Sequence, residues 1–581
     1  MAPIVAGLSP ISDDIEEFRG IPYAHVPGRW EHSQPRDRLP RDIFDDTQNG
    51  PRCPTQSKGD SRTFQSYLPF PDDFEDEFEC LNLLVVRPSK EALVKHNIDA
   101  ETTQLPVLIW IHGGGFTDGA ATDPIWDPAR IVLRALSKKT PLIAVSINYR
   151  LNIFGFGGSS DMLAAQGSHG SLKGVNFGLY DQKLALIWVK CNIAAFGGDG
   201  TKVTIMGHSA GGISCHLHLL EAELGTKKPL FRKAGLMSGS CGDLDLTSLD
   251  KADERWADLY RLRSVQADYP ADRLNMLRRI PAKDLLLSIS ELHLVLFTLV
   301  IDQLTIKKSN LGCDVSVHLG QDGLDDHTKS TNENIQVMLS TTDDEFRGFV
   351  QMANWNYTKF HSLFASSYPS EAAAEEILQA YGIRSASSDQ ELFEAFSQFM
   401  SDVTMIHKVH RASQFFKAYR GKQALLYRKD PKRVGPMKGI AHHGVELIYA
   451  FDTFHGALEK ADQGIPEGYI EPHQEVAETT IPETLSNTET AEYRHSNIDL
   501  GYELQDKLIQ FVVEDCQETD QRANFDEITT FSHDGLVRVE NWSSSEKWVL
   551  KSKKLELLNR DLDSLATATR RLVGSVIGMA L

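Results

Sequence analysis

Residues 202–220, KVTIMGHSAGGISCHLHLL, constrain the fold more than any other stretch of the chain. A β-branched strand (Val203, Thr204, Ile205) runs into Gly207-His208-Ser209-Ala210-Gly211, and a helix rich in Ala, Leu and Ile follows. A G-x-S-x-G pentapeptide between strand and helix makes a turn so sharp that only small residues fit at its flanks. The serine Oγ is then held clear of the sheet. Behind it, the helix N-terminus offers N–H groups and partial positive charge to a developing anion. The competing reading is a bare Gly-Ser-Gly turn. With 42 glycines in 581 residues, only context separates the two.

A second glycine feature supplies that context. Leu105–Ile111 is an apolar run of strand length, and it ends in His112-Gly113-Gly114-Gly115-Phe116. Three glycines in a row cost chain entropy and make sense where backbone N–H groups must approach a ligand. Gly114 and Gly115, with Ala210 after the serine, are the candidate donors to an oxyanion. A plain glycine-rich turn is the alternative. Further buried strands are expected at 80–88 and 142–147, with a helix over 181–190. Continuous apolar runs alternating with helices predict an α/β chain whose sheet is mostly parallel, with helices on both faces.

The charge balance, 60 Lys and Arg against 80 Asp and Glu for a net −20, argues against nucleic acid or an anionic membrane as partner. The N-terminal MAPIVAGLSPISDDIEEF has no basic segment before its broken apolar run, so a cytoplasmic protein is expected. The C-terminal RRLVGSVIGMAL is too short to span a bilayer and reads as a docked helix. Seven cysteines show no metal-ligand spacing, and neither a metal nor an organic cofactor is expected. The sequons at Asn356 and Asn541 are about what chance gives. Residues 312–334 read as a polar surface loop. The acidic, Thr- and Pro-rich stretch 459–496 reads as a mobile insertion. Oligomeric state is left open.

Several segments together resemble the type B carboxylesterases, the branch of the α/β-hydrolase fold that includes cholinesterases and fungal lipases. They are FRGIPYA (18–24), ECLNLLVVRP (79–88), IHGGGF (111–116), NYRLNIFGF (148–156), the 176–199 segment, GHSAGG at the serine, LMSGS (236–240) and LNMLRRIPAKDLL (274–286). The resemblance covers most of residues 15–350 and returns at His443. It implies one α/β-hydrolase domain over 1–581: a central, mostly parallel, twisted sheet flanked by helices, with helical cap-like regions at 221–300 and 371–416 over the active site. The implied activity is hydrolysis of small carboxylic esters by a Ser-His-Glu acyl-enzyme route. A lactone, thioester or amide is the alternative substrate, and a catalytically silent adhesion or scaffold homologue is the remote alternative.

The family places its acid in Gly-x-x-x-x-Glu-Gly, which here matches the stretch ending in Glu345. Both glycines are replaced, by Ser340 and Phe346, so Asp343 and Asp344 stay open as alternatives. The family histidine, in His-Gly-x-Glu-Leu, matches His443, with His442 as its competitor. The expected triad is Ser209, Glu345 and His443, with Gly114, Gly115 and Ala210 as the oxyanion hole. Cys53 and Cys80 match the family's first disulfide pair; Met276 stands where a further cysteine is common. Cholinesterases carry an acidic residue before the nucleophile and a Trp in the first cysteine loop. This chain has His208, and Phe70 with Tyr67 and Phe74 nearby, which implies an uncharged ester.

Overall fold

The computed structural model describes residues 4–5, 7–9, 11–36, 44–45, 47–56, 71, 73–166, 172–224, 229–242, 246–294, 297–309, 315–320, 335–347, 356–416, 422–426, 439–464, 495–515 and 527–576. The proposed insertion lies outside these residues over 465–494, as do Tyr67 and Phe70.

Eleven strands form one sheet: β1 (Gly7–Leu8), β2 (Ile15–Pro22), β3 (Asn82–Pro88), β4 (Leu105–Ile111), β5 (Ile143–Ile147), β6 (Gly198–His208), β7 (Lys233–Met237), β8 (Gln336–Thr342), β9 (Lys422–Leu426), β10 (Glu527–Phe531) and β11 (Val537–Asn541). Their spatial order is β11-β10-β9-β8-β7-β6-β4-β5-β3-β2-β1. From β5 to β10 every pairing is parallel, whereas β1, β2, β3 and β11 pair antiparallel at the two ends. The strand carrying the serine motif is therefore in the middle, with Ile205 opposite Ile109 on one side and Ala234 on the other.

Uninterrupted apolar strands bury both faces, because successive side chains point to opposite sides. In β4, Val107, Ile109 and Ile111 enter one core while Leu108 and Trp110 enter the other. Helices Phe177–Asn192 and Ala210–Leu224 cover the first face. Helices Ala129–Ser137, Val445–Phe451 and Asn497–Val513 cover the second. A fully buried ion pair fastens the first layer: Arg150 meets Asp181 through two 2.8 Å bonds, and Ser33 donates to the same carboxylate at 2.6 Å.

The 221–300 region contains helices Leu249–Leu262, Pro270–Arg278 and Ala282–Glu291. The 371–416 region contains Glu371–Ala380, Asp389–Ser401 and His407–Phe415, the last two joined by a π-turn over Asp402–Ile406. Helices Glu371–Ala380 and Asp389–Ser401, with Tyr357–Ala365, share a third apolar core with the C-terminal helices Glu546–Asn559 and Leu562–Val576, whereas Val409 and Ala412 of His407–Phe415 enter the first core. The expected polar loop is corrected in part: Val315–Val317 is a strand paired antiparallel with Ile306–Lys308. Val315 and Val317 are buried, and their alternation with Ser316 is the period-two signal that the surrounding polar residues concealed.

Candidate active site

The site gathers on three turns at the C-terminal ends of β4, β6 and β8, with a fourth segment after β9. At the end of β6, Ser209 has φ +57°, a left-handed conformation that a side-chain-bearing residue adopts only under constraint. The constraint comes from close backbone approach. A Cβ on Gly211 would lie 1.9 Å from the Ile111 carbonyl oxygen, and one on Gly207 would lie 2.4 Å from the Gly211 carbonyl carbon. The Ser209 N–H donates to the Met237 carbonyl at 2.9 Å, and its carbonyl accepts from Ile213 at 3.0 Å as the helix begins. The half-buried serine thus stands at the N-terminus of Ala210–Leu224, where Ala210 also lies.

The glycine loop abuts this turn. A Cβ on Gly113 would come within 2.7 Å of the His208 carbonyl oxygen and 3.1 Å of the Ser209 Cβ. Gly114 has φ +111°, and a Cβ there would fall 2.1 Å from the Asp118 carbonyl oxygen. The Gly114 carbonyl accepts from Thr117 and Asp118, which folds the loop back on itself. Among the described residues no acceptor takes the N–H of Gly114 or Gly115. Behind the loop, the buried His112 ring stacks on Tyr149, whose hydroxyl donates to the His112 carbonyl at 2.7 Å. Burial pushes the His112 pKa down to about 3, so this ring is neutral. The buried Arg52 guanidinium bonds Asp123 at 3.2 Å and Asp118 at 3.3 Å, and Asp118 in turn accepts from Gly119 at 2.7 Å.

Glu345 follows β8 and is fully buried. Its Oε2 lies 2.6 Å from Nδ1 of His443, and its Oε1 accepts the Thr342 N–H at 2.8 Å. The two segments are stitched together by the Asp344 N–H, which donates to the Ala441 carbonyl at 3.0 Å. Asp344 itself turns away, toward Ser397, Ser401 and Arg347. Asp343 is half-buried on the side of Lys551 and Lys547, and desolvation raises its pKa to about 6. The His442 Nδ1 lies 2.8 Å from the His443 carbonyl oxygen. Of the open alternatives, the carboxylate on the histidine is Glu345, and the histidine it meets is His443.

Burial works against a charged His443, but the hydrogen bond and charge of Glu345, with Glu446 behind, outweigh it and raise the pKa above the ordinary value. The His443 ring packs against His208, centroids 4.5 Å apart. His208 is itself buried 3.3 Å from Glu446 Oε1. Burial is the largest influence on His208 and lowers its pKa, Glu446 only partly opposing it, so this imidazole is neutral at pH 7. The Ser238 hydroxyl donates to Glu446 at 2.6 Å. Arg52, Tyr149, Ser238 and Glu446 were not singled out from sequence, although Tyr149, Ser238 and Glu446 lie inside stretches quoted for the resemblance.

Cys53 and Cys80, which the resemblance pairs, are buried free thiols in contact. The Cys80 pKa is raised, first by a hydrogen bond to Cys53 and then by burial. Cys53 Sγ also accepts the Leu151 N–H at 3.3 Å. Phe74 is exposed, and its backbone carbonyl accepts the Arg52 N–H at 2.9 Å. Among the described residues no group of three or more His, Cys, Asp and Glu side chains is placed to hold a metal ion. Nor is any described helix long and apolar enough to cross a membrane.

The architecture and the sequence both have relatives. A solved structure of a PNB esterase superimposes with a TM-score of 0.64 over 95% of this chain and 97% of that one, at 22% identity, which speaks for the fold alone. Lipase 1 of Yarrowia lipolytica is 35% identical over 224 residues, 37% of this chain and 40% of that protein. Para-nitrobenzyl esterase of Bacillus subtilis is 36% identical over 228 residues, 39% of this chain and 40% of that protein. The matched part spans about two fifths of the length of each of these two relatives. The carboxylesterase family profile matches residues 7–507, most of the chain, with all six residues of the serine, acid, histidine and glycine-loop positions inside it. The protein belongs to the carboxylesterase family.

Proposed function

We propose that this protein hydrolyses uncharged carboxylic esters through an acyl-enzyme on Ser209. The observation that carries the reading is the 2.6 Å contact between Glu345 and His443, set beside a serine held at positive φ against the glycine loop. In this reading His443 takes the Ser209 proton as Oγ attacks the ester carbonyl, then delivers it to the leaving alkoxide. Glu345 fixes the imidazole tautomer and stabilises the imidazolium without taking the proton. The N–H groups of Gly114, Gly115 and Ala210 receive the tetrahedral oxyanion, each such donor being worth on the order of 3 kcal/mol. Water then repeats the sequence on the acyl-enzyme.

Support for an uncharged substrate comes from His208. At the position before the serine it is a neutral, buried ring, and Glu446 beside it is already engaged by the Ser238 hydroxyl. The names of the relatives, a lipase and a para-nitrobenzyl ester hydrolase, favour esters over lactones, thioesters or amides. The test is a hydrolysis panel of neutral esters of graded acyl length, with lactones and choline esters included, run beside organophosphonate labelling. Wild type should turn over esters and carry one label on Ser209, and Ser209→Ala should do neither while melting as wild type does. A protein that resists labelling and hydrolyses nothing would be the silent scaffold instead.

A further inference from the structure

The two residues that flank Glu345 are both held by one face of helix Asp389–Ser401. Phe393, Ser397 and Ser401 recur every four residues, so they lie one above another on that face. The Ser397 hydroxyl donates to Asp344 Oδ1 at 2.8 Å. The Ser401 hydroxyl donates to the Ser397 carbonyl at 2.8 Å, and its oxygen accepts the Phe346 N–H at 2.9 Å. At the other end of the face the Phe393 ring lies under the Arg347 guanidinium, 5.0 Å from the centroid, and Arg347 Nε donates to Asp344 Oδ2 at 2.8 Å. Ser397 and Ser401 are fully buried. A buried hydroxyl costs free energy unless it is bonded, and in a layer built from Phe396, Phe399 and Met400 an alanine would serve packing equally well.

The helix end that carries Ser401 is itself fastened. The π-turn starts at the next residue, Asp402, and such turns are frequent at functional sites. Asp402 is fully buried and accepts from Tyr381 at 2.8 Å, from Gln398 at 3.2 Å and from Lys551 of the C-terminal helix. On the far side of the acid, the Asp344 N–H donates to the Ala441 carbonyl, two residues before His443. Glu345 therefore lies between a fixed helix end and the histidine segment. Its own carboxylate goes to His443 and Thr342, so the helix acts on the chain at either side of the acid and not on the acid itself.

We propose that Ser397 and Ser401 are positioning residues for the acid: their hydroxyls fix the chain on both sides of Glu345 and so hold its carboxylate on Nδ1 of His443. Placement matters steeply at such a contact, because a misplacement of about 1 Å can cost about a hundredfold in rate. Without the clamp the carboxylate sits less firmly on the ring and favours the imidazolium less. Glu446 and His208, the other titratable groups against His443, are bonded to neither serine and keep their places.

The experiment combines steady-state kinetics of the full-length protein with proton NMR of the far-downfield His443 Nδ1–H signal. The kinetics rest on the proposed ester hydrolysis at Ser209, whereas the signal reads the Glu345 contact without turnover, so failure of one is distinct from failure of the other. Ser401→Ala should lower kcat about tenfold with KM within about twofold of wild type. The acid limb of its kcat/KM profile should move to lower pH, the direction expected for Glu345→Gln, and the signal should move upfield. Ser397→Ala should show the same two changes, and it carries the test if Ser401→Ala does not fold. Thr404→Val removes a buried hydroxyl bonded to the Met400 carbonyl in the same helical run, and it should leave limb and signal at their wild-type positions. Wild-type limb and signal in either folded serine variant would overturn the proposal, whatever the loss in melting temperature. So would Thr404→Val moving them as far as the serine variants do.

Discussion

Glu345 uses one carboxylate oxygen on His443 at 2.6 Å and the other on the Thr342 N–H at 2.8 Å, so neither oxygen is left to swing away. A carboxylate held at both ends orients the imidazole as well as charging it. Glu345→Gln keeps the shape and removes the charge, and kcat should fall by about 10⁴, the scale set by removing a triad carboxylate. Asp344→Asn should keep kcat within about tenfold, since Asp344 faces Ser397, Ser401 and Arg347. The reverse pattern in steady-state rates would reassign the acid to Asp344.

The pH dependence follows from the same contact. His443 acts only when neutral, and Glu345 raises its pKa above the ordinary 6.5. The rate should therefore fall as pH drops through a value above 6.5, with one proton taken up. Glu345→Gln removes the charge that favours the imidazolium, so its acid limb should move to lower pH. A kcat/KM profile with its midpoint unmoved in that variant would exclude Glu345 as the source of the shift.

Gly114 tests the oxyanion loop. Its φ of +111° and the Asp118 carbonyl 2.1 Å from the place of a Cβ leave no room for alanine without moving the loop. Gly114→Ala should cost about 10²–10³ in kcat, the scale of one lost oxyanion donor, with KM changing less. Equal loss in KM and none in kcat would mean that the loop only binds ground-state substrate.

Arg52 connects that loop to the interior. The Arg52→Met variant leaves Asp123 and Asp118 without their buried cation, and burial has already raised the Asp123 pKa to about 6. Removing one partner of a buried ionic cluster costs about 3–5 kcal/mol. Denaturant unfolding should show a loss of that order, and kcat should fall as Asp118 releases the Gly114 carbonyl.

For a choline ester against its uncharged isostere, kcat/KM should differ by less than tenfold, roughly 1.4 kcal/mol of transition-state discrimination. A larger preference for the cation would show that Glu446 acts through His208 as a cation site.

The centre of the sheet was readable from residues alone because each strand there is buried on both faces and must be apolar throughout. Residues 105–111 announce themselves in this way. The serine and glycine turns were readable because backbone closeness, visible in the Cβ contacts at Gly207, Gly211 and Gly114, excludes larger residues. The acid was harder. Glu345 stands in a run of Thr, Thr, Asp and Asp, and only the fold decides which carboxylate turns inward. The Arg52 cluster was invisible, since it joins Arg52 to Asp118 and Asp123, far apart in sequence.

The seat of Glu345 also sets an order of events during synthesis. Phe346, the residue after the acid, is buried in the third core with Trp548, Leu555 and Leu572, and Lys551 bonds Asp402 across the same layer. Domains generally fold from the N-terminus as the chain emerges. The serine turn and its flanking strands can therefore form while the last residues are still untranslated, but the floor under the acid cannot. A nascent chain released before residue 546 would carry the nucleophile in place and the acid unsupported, which ties the onset of activity to completion of the C-terminal helices.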